Sequence, residues 1–110
     1  MREHLRRGGR FVTTNYVLTE LVALMNSRTR FSRSQVLKAV DSIHLSPRFE
    51  IVHITSEVHQ AAFELLQSRL DKEWSWVDAA SFVVMQERGL TQALTTDHHF
   101  DQAGFMRLLA

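Results

Sequence analysis

The stretch from Ser75 to Phe100 constrains the fold more than any other part of the chain. Ser75 and Asp78 have the spacing of a capping box, in which a helix-opening serine and an acid three residues later exchange hydrogen bonds with the backbone. An apolar run follows Asp78 and ends at helical length, and Gly89 is a typical residue just past a helix end. The pattern predicts a largely buried helix over Trp76–Arg88.

A short strand is predicted after this helix. Residues Ala93 to Thr96 are β-prone and stop at Asp97, which places that acid at the carboxyl end of a buried parallel strand. Ligands of open α/β sheets bind outside the carboxyl ends of the strands. Asp78 and Asp97 therefore bracket one helix and strand unit, and both are candidates for a functional site.

The rest of the chain alternates between predicted strands and helices. Residues 1–7 are interpreted as the end of a helix, because Leu5 is the only apolar anchor before two glycines. The alternation predicts a three-layer α/β domain with a mainly parallel sheet flanked by helices. The other predicted elements are a strand at Phe11–Thr13, a helix over Tyr16–Arg28, a helix that Ser32 and Gln35 open and Pro47 ends, a strand at Phe49–Ile54, a helix from Ser56 and a last strand within Phe105–Leu109.

Composition bounds the class of protein. At 110 residues and 45% apolar content the chain is expected to be one globular domain, residues 1–110. Thirteen basic and twelve acidic residues give a net charge of +1, so no global field indicates a nucleic-acid partner. The lack of cysteine excludes a disulfide framework and a thiolate zinc site. With no apolar run of about 18 residues to span a membrane, a cytoplasmic protein is expected.

Glu20 is a third candidate acid, on the helix predicted over Tyr16–Arg28. A carboxylate on an apolar arc is costly unless it is paired, hydrogen-bonded or metal-bound. A glutamate at the edge of the surface, with its carboxylate in water, fits the same pattern. On a helical wheel Glu20 lies off the polar stripe of this helix, on an otherwise apolar arc whose members are Tyr16, Ala23 and Leu24.

Glu20, Asp78 and Asp97 supply three hard oxygen donors, which suit Mg²⁺ or Mn²⁺. Such an ion lowers the pKa of a water and neutralises charge on a phosphodiester, so the acids are consistent with metal-dependent phosphodiester hydrolysis. Structural roles fit the spacing as well. Asp78 suits a capping-box acid at a helix N-terminus, and Asp97 suits an Asx-turn that leaves a strand.

Two other pairs of side chains near the acids have a structural and a functional interpretation. His98 and His99, beside Asp97, can suggest a transition-metal cluster, but adjacent histidines point apart on most backbones. Trp74 and Trp76 can stack on RNA bases, although burial is the commoner use of an aromatic side chain. We expect both tryptophans to pack the loop onto the domain.

Three segments resemble the later acidic motifs of PIN-domain ribonucleases, in particular of VapC-type toxins from bacterial toxin-antitoxin modules. They read TTNYVLTELVALM, SWVDAASFVVMQERGL and ALTTDHHFDQAGF. Their order is specific in combination: a helix Glu, a helix Asp with trailing apolar residues, and a strand ending in Thr-Asp before Phe and Gly. The resemblance implies a PIN-like fold and an endoribonuclease that uses Mg²⁺ or Mn²⁺ and leaves a 5′-phosphate and a 3′-hydroxyl. The implied partners are RNA, a cognate antitoxin and a second copy in a homodimer.

Position by position, the resemblance implies that Glu20, Asp78 and Asp97 are metal-site acids and that Thr96 is the small hydroxyl residue that lines such sites. Family members also begin with a hydrophobic strand that carries a first Asp, and the only acid here before Glu20 is Glu3. We therefore expect a PIN-like domain that is incomplete at its N-terminus, with an unfilled slot at the centre of the sheet and one ligand fewer.

Two other functions fit the sequence. One is a catalytically incomplete remnant of the family that binds an antitoxin or a second copy of itself, with an exposed apolar slot favouring association. The other is a plain RNA-binding domain that uses its arginines, with an affinity that falls steeply with salt and needs no divalent ion. The expected loss of a ligand therefore leaves it open whether the chain is an enzyme.

Overall fold

The computed structural model describes residues 3–5, 9–28, 31–95 and 97–109. Strands and helices alternate through these ranges, so the predicted α/β class is confirmed. None of the described helices is long and apolar enough to cross a membrane. In chain order the elements are β1 (Glu3–Leu5), β2 (Phe11–Thr14), α1 (Asn15–Arg28), α2 (Arg33–Leu45), β3 (Phe49–Val52), α3 (Ser56–Ser68), α4 (Trp76–Glu87), β4 (Gln92–Leu94), α5 (His99–Gln102) and β5 (Met106–Arg107).

The five strands form one sheet in the order β3-β2-β1-β4-β5. β2 is parallel to β3, and β4 is parallel to β5. β1 lies at the centre and is antiparallel to both neighbours, with His4 opposite Val12 on one side and opposite Ala93 on the other. The sheet therefore contains the predicted parallel pairs on either side of one antiparallel strand.

The interpretation of residues 1–7 as the end of a helix is wrong for Glu3–Leu5, which form β1. The central position of the sheet, which the sequence led us to expect empty, is occupied. The physical reason is that β2 and β4 each have an inner edge of backbone N–H and C=O groups, and one strand between them pairs both edges at once. With Leu5 as its single apolar residue, this segment has no periodicity that could indicate the pairing.

Both predicted capping boxes are present. In the first, Ser32 Oγ accepts from the Gln35 amide at 3.1 Å and Gln35 Oε1 accepts from the Ser32 amide at 2.8 Å. In the second, Ser75 and Asp78 exchange the corresponding bonds at 3.0 Å each. At the other end of α4, Gly89 has a φ of +66°, which glycine adopts without steric cost. These local bonds and this turn begin α2 and α4, and end α4, close to where the sequence predicts.

The layer formed by α1 and α2 is more exposed than its apolar pattern predicts. Val36 and Ile43 of α2 are buried, but the neighbouring Leu37 is exposed. Leu24 of α1 is 51% exposed, whereas Glu20 itself is partly buried, so the arc on which Glu20 lies is only partly covered. The predicted cost of burying a carboxylate at Glu20 therefore applies only in part.

The main hydrophobic core lies around α4, β4 and α5. Phe82 meets Phe100 edge to face with ring centroids 4.9 Å apart, and Trp74 packs against Phe82 in the same manner at 5.0 Å. Met85 and Ala93 complete the buried cluster. Burial of a large apolar side chain contributes about 1.5–3 kcal/mol. The core therefore fixes α4, which contains Asp78, against α5, which begins two residues after Asp97.

Candidate metal centre

Asp78 lies in the first turn of α4 and is 1% exposed. Its Oδ2 accepts a hydrogen bond from the Ser75 amide at 3.0 Å. The N-terminus of a helix carries partial positive charge, which favours a carboxylate at this position. The structural role predicted for Asp78 is therefore present, and it fixes the direction in which the carboxylate points.

Asp97 lies in the loop that leads from β4 to α5. Its Oδ1 accepts from the His99 amide at 2.9 Å, which forms the predicted Asx-turn, and its own amide donates to Thr95 Oγ1 at 3.0 Å. β4 ends at Leu94, so Asp97 lies a few residues beyond the carboxyl end of the strand and not directly at it. Thr96, the predicted hydroxyl residue of the site, lies outside the described residues.

His99 brings the two aspartates together. Its Nδ1 lies 3.2 Å from Asp78 Oδ2 and 3.2 Å from Asp97 Oδ1. Because one nitrogen reaches both carboxylates, these oxygens lie within twice that distance of each other. Below this polar contact, Phe100 packs on Phe82, which follows Asp78 by one helical turn. The same two segments are thus joined by a buried apolar contact and by a polar contact above it.

His99 was not among the predicted site residues. The sequence signal that could have found it is its place two residues after Asp97, because an Asx-turn brings the chain back toward the aspartate carboxylate at that spacing. Its contact with Asp78 has no such signal, since the two residues lie on separate elements. Only the packing of α5 against α4 creates it.

Three donors in this region lie close enough to share one ion. Within the described residues, one ligand atom each from Asp97, His98 and His99 lie within 4.8 Å of one another. The expectation that the adjacent histidines point apart is wrong, since their ring centroids are 4.6 Å apart. The reason is that His98 has helical dihedral angles, φ −65° and ψ −14°, which turn successive side chains by about 100° and not by the half-turn of a strand.

Glu20 is a member of α1 and does not belong to this group of three donors in the described part of the chain. Its side chain is partly buried. Tyr16 of α1 packs against a buried cluster of Ala62 from α3 and Ala79 and Ala80 from α4. Glu20 follows Tyr16 by one helical turn and so lies on the side of α1 that faces these two helices. The structure therefore brings Asp78 and Asp97 together through His99 and leaves Glu20 on a neighbouring helix.

The two tryptophans differ in exposure. Trp74 is buried, and its Nε1 donates to Gln102 Oε1 at 2.9 Å, so the predicted packing role is confirmed for this residue. Trp76 also packs, with its ring stacked on His59 at 4.3 Å and on Phe63 at 5.1 Å, but it remains 38% exposed. Trp74 thus ties the loop before α4 to α5, while Trp76 ties the start of α4 to α3.

Pairs of donors here have the spacing of ligands on one divalent cation. Neighbouring ligands of an octahedral ion with bonds of about 2.1 Å lie about 3 Å apart, and His99 Nδ1 lies 3.2 Å from an oxygen of each aspartate. Asp78 is not one of the three described residues whose donors all lie within 4.8 Å of one another. The Asp78 side chain is nearly inaccessible, whereas those of Asp97 and His99 are 22% and 21% exposed. The site formed by Asp78, Asp97 and His99 is therefore closed on the side of α4 and open to solvent on the side of α5.

Comparison with known proteins identifies the family. A model of the PIN domain matches residues 1–106. The 23S rRNA-specific endonuclease VapC20 of Mycobacterium tuberculosis, in strains CDC 1551 and H37Rv, is 36% identical over 97 residues, which are 88% of this chain and 72% of the relative. The crystal structure of M. tuberculosis VapC20, a sarcin-ricin loop cleaving toxin, matches with a TM-score of 0.81 and 34% identity over 88% of this chain and 72% of that one. The resemblance carried by the three acidic segments is confirmed, and this chain belongs to the PIN domain family.

Proposed function

We propose that this protein is a metal-dependent endoribonuclease of the VapC toxin type, which hydrolyses phosphodiester bonds in RNA. One observation carries the proposal: the carboxylates of Asp78 and Asp97, from separate elements of a PIN domain, converge on one imidazole at 3.2 Å. The kinship with VapC20, a 23S rRNA-specific endonuclease, supports RNA as the substrate.

Asp78 and Asp97, with Glu20 from α1, are the proposed ligands of the ion, which is Mg²⁺ or Mn²⁺. When bound, the ion would neutralise charge on the scissile phosphate and lower the pKa of a nearby water. The protein's own contribution is to hold the donors in place before substrate arrives. The capping box orients Asp78 and the Asx-turn orients Asp97. Thr96, as the resemblance implies, is proposed to line the same site.

The open side of the site formed by Asp78, Asp97 and His99 is the proposed entry for RNA. Asp97 and His99 are partly exposed there, while Asp78 is covered by the protein. Two carboxylates repel an approaching phosphate until their charge is compensated, so the aspartates by themselves disfavour RNA at this position. The dependence of cleavage on a divalent cation follows from that repulsion.

The proposed protein partners are a cognate antitoxin and a second copy of the chain in a homodimer. Apolar side chains exposed on α1, on α2 and on the segment between them support a protein partner. Those with large exposure are Leu24, Phe31, Leu37 and Leu45. Sedimentation of the purified chain, alone and with the antitoxin, measures both associations.

The proposal is tested by cleavage of a synthetic sarcin-ricin loop RNA in the presence of Mg²⁺ or Mn²⁺. We expect EDTA to abolish cleavage and Asp97→Asn to lower it at least about 100-fold, since even outer-shell partners of a metal contribute about 10- to 100-fold. The asparagine side chain also forms Asx-turns, so the fold should persist. The products should carry a 5′-phosphate, which end-labelling detects.

Asp101→Asn is the matched control for Asp97→Asn. Asp101 lies in α5, is exposed, and pairs with Arg107 at 3.3 Å, and it is outside the three-donor cluster of the described residues. Its replacement should leave cleavage unchanged. Full cleavage in EDTA, or by a folded Asp97→Asn variant, would overturn the proposal. A protein that binds its antitoxin but cleaves no RNA with any divalent ion would identify the non-catalytic binding module instead.

A further inference from the structure

We propose that His99 Nδ1 is a direct ligand of the ion held by Asp78 and Asp97, and that this nitrogen makes the site prefer first-row transition ions such as Mn²⁺ and Co²⁺ to Mg²⁺. The inference rests on the proposed metal-dependent function and names the class of ion that the site selects. It concerns a residue that the sequence pattern of acids does not include.

The first argument is geometric. His99 Nδ1 lies 3.2 Å from an oxygen of each aspartate, which is close to the separation of about 3 Å between neighbouring ligands of one ion. An ion bound by the contacting oxygen of either aspartate would therefore lie within reach of this nitrogen.

The second argument concerns how firmly the ring is held. The His99 amide donates to Asp97 Oδ1 at 2.9 Å, so one turn fixes the backbone of both residues. The next residue, Phe100, is fully buried against Phe82. The hydrogen bond to Asp97 and the burial of Phe100 therefore hold the backbone on either side of the imidazole in place. A donor held in this way loses little conformational freedom when it binds an ion.

The third argument is chemical. Carboxylate and water oxygens suit Mg²⁺, which keeps most of its waters and rarely takes nitrogen ligands. Imidazole suits transition ions, and the affinity of a site for them rises in the order Mn²⁺, Co²⁺, Ni²⁺. A site with two aspartates and one imidazole is therefore expected to discriminate against Mg²⁺ more strongly than a site built from carboxylates alone.

His98 is the competing candidate for the nitrogen ligand, and its replacement is compared with that of His99. It shares the local sequence, the residue type and the three-donor group of the described residues, but it is exposed. The contacts of 3.2 Å with both aspartates are made by His99. Replacing each histidine by asparagine puts an amide oxygen near the position of Nδ1 and removes the nitrogen donor. Only the His99→Asn variant should change the chemistry of the ion.

The experiment uses Mn²⁺ as the probe on the whole chain without RNA. Electron spin echo envelope modulation of the Mn²⁺-loaded protein detects a ¹⁴N nucleus bound to the ion. We expect this signal in the wild type and in His98→Asn, and its loss in His99→Asn. Calorimetric titration with Co²⁺ should show an affinity at least about tenfold lower in His99→Asn than in the wild type, with a much smaller change for Mg²⁺.

A wild-type protein that binds Mn²⁺ without a nitrogen signal would overturn the inference, as would a signal that is lost in His98→Asn or kept in His99→Asn. Equal losses of Co²⁺ and Mg²⁺ affinity in His99→Asn would do so too. If His99→Asn does not fold, wild-type protein labelled with ¹⁵N-histidine still decides whether a histidine binds the ion, and His98→Asn then decides which one.

These outcomes are distinct from those of the cleavage test. Cleavage of RNA by a protein whose Mn²⁺ has only oxygen ligands would overturn the role of His99 and leave the endoribonuclease standing. An ion bound by His99 in a protein that cleaves no RNA would keep the ligand and overturn the function.

Discussion

Two helices of this protein begin with the same hydrogen-bonding pattern and differ in what surrounds it. In α2, Ser32 and Gln35 form their capping box on an exposed turn. In α4, Ser75 and Asp78 form the same box, but the acid is buried and His99 lies 3.2 Å from it. The local motif fixes the start of each helix equally well. Burial and a partner from a distant segment make only the second one a candidate metal ligand.

The largest expected difference in RNA cleavage is between substitutions at the third residue of each helix, Asp78 in α4 and Gln35 in α2. Asp78→Asn should lower RNA cleavage at least about 100-fold, because it removes a proposed ligand. The variant keeps an oxygen that can accept from the Ser75 amide, so the helix start should persist. Gln35→Ala should cost about 0.5–1 kcal/mol of unfolding free energy and leave cleavage unchanged. Cleavage rates and thermal unfolding of both variants test the pair.

Equal cleavage by wild type and a folded Asp78→Asn variant would contradict the proposal that the capping box of α4 contributes to the site. A loss of cleavage in Gln35→Ala at temperatures where it is fully folded would contradict the expectation that the box of α2 does not.

A smaller effect is expected at the two serines. Ser75→Ala and Ser32→Ala each remove one side-chain acceptor and should each cost about 1 kcal/mol of stability. Ser75→Ala should also reduce cleavage, by less than about tenfold, because it loosens the turn that orients Asp78. Ser32→Ala should not affect it. Denaturant unfolding and cleavage assays on the same preparations compare the two, and equal cleavage by both variants would contradict the expectation.

The smallest effect on activity is expected at the far end of α4. Gly89 has a positive φ, and a Cβ there would meet nothing within 4 Å, so Gly89→Ala should cost about 1–2 kcal/mol through backbone strain alone. Cleavage by the folded protein should not change. If it fell as far as in Ser75→Ala, loss of helix stability would explain both results and Ser75 would have no particular link to the site.

Sequence predicts those parts of this fold that depend on neighbours along the chain. The caps of α2 and α4 and the turn at Gly89 involve residues at most five apart, so their signals are complete within a short window. The order of strands and helices follows from periodicity in the same way. The structural roles of Asp78 and Asp97 were predicted from such windows, and both occur together with the contact to His99.

The features that sequence did not predict depend on distant partners. β1 exists because β2 and β4 present edges that a strand between them can pair. α5 has only four residues, too few for a periodic pattern, and its position comes from burial of Phe100. The exposure of Leu24 near Glu20 depends on how α1 packs on its neighbours, and a helical wheel of α1 alone cannot show this packing.

The central position of β1 has a consequence for how this protein unfolds. β1 pairs Glu3 with Leu94, so the sheet closes only when segments from almost opposite ends of the sequence meet, a step whose entropic cost grows with the length of chain between them. Once in place, β1 is the seam between the two parallel halves, and amides on the inner edges of β2 and β4 exchange with solvent only when that seam opens. β2 leads into α1 and Glu20, while β4 leads to Asp97. Separation of β1 from its neighbours would therefore move apart the two strands that lead to these acids. The site would be disrupted while the helices stay folded.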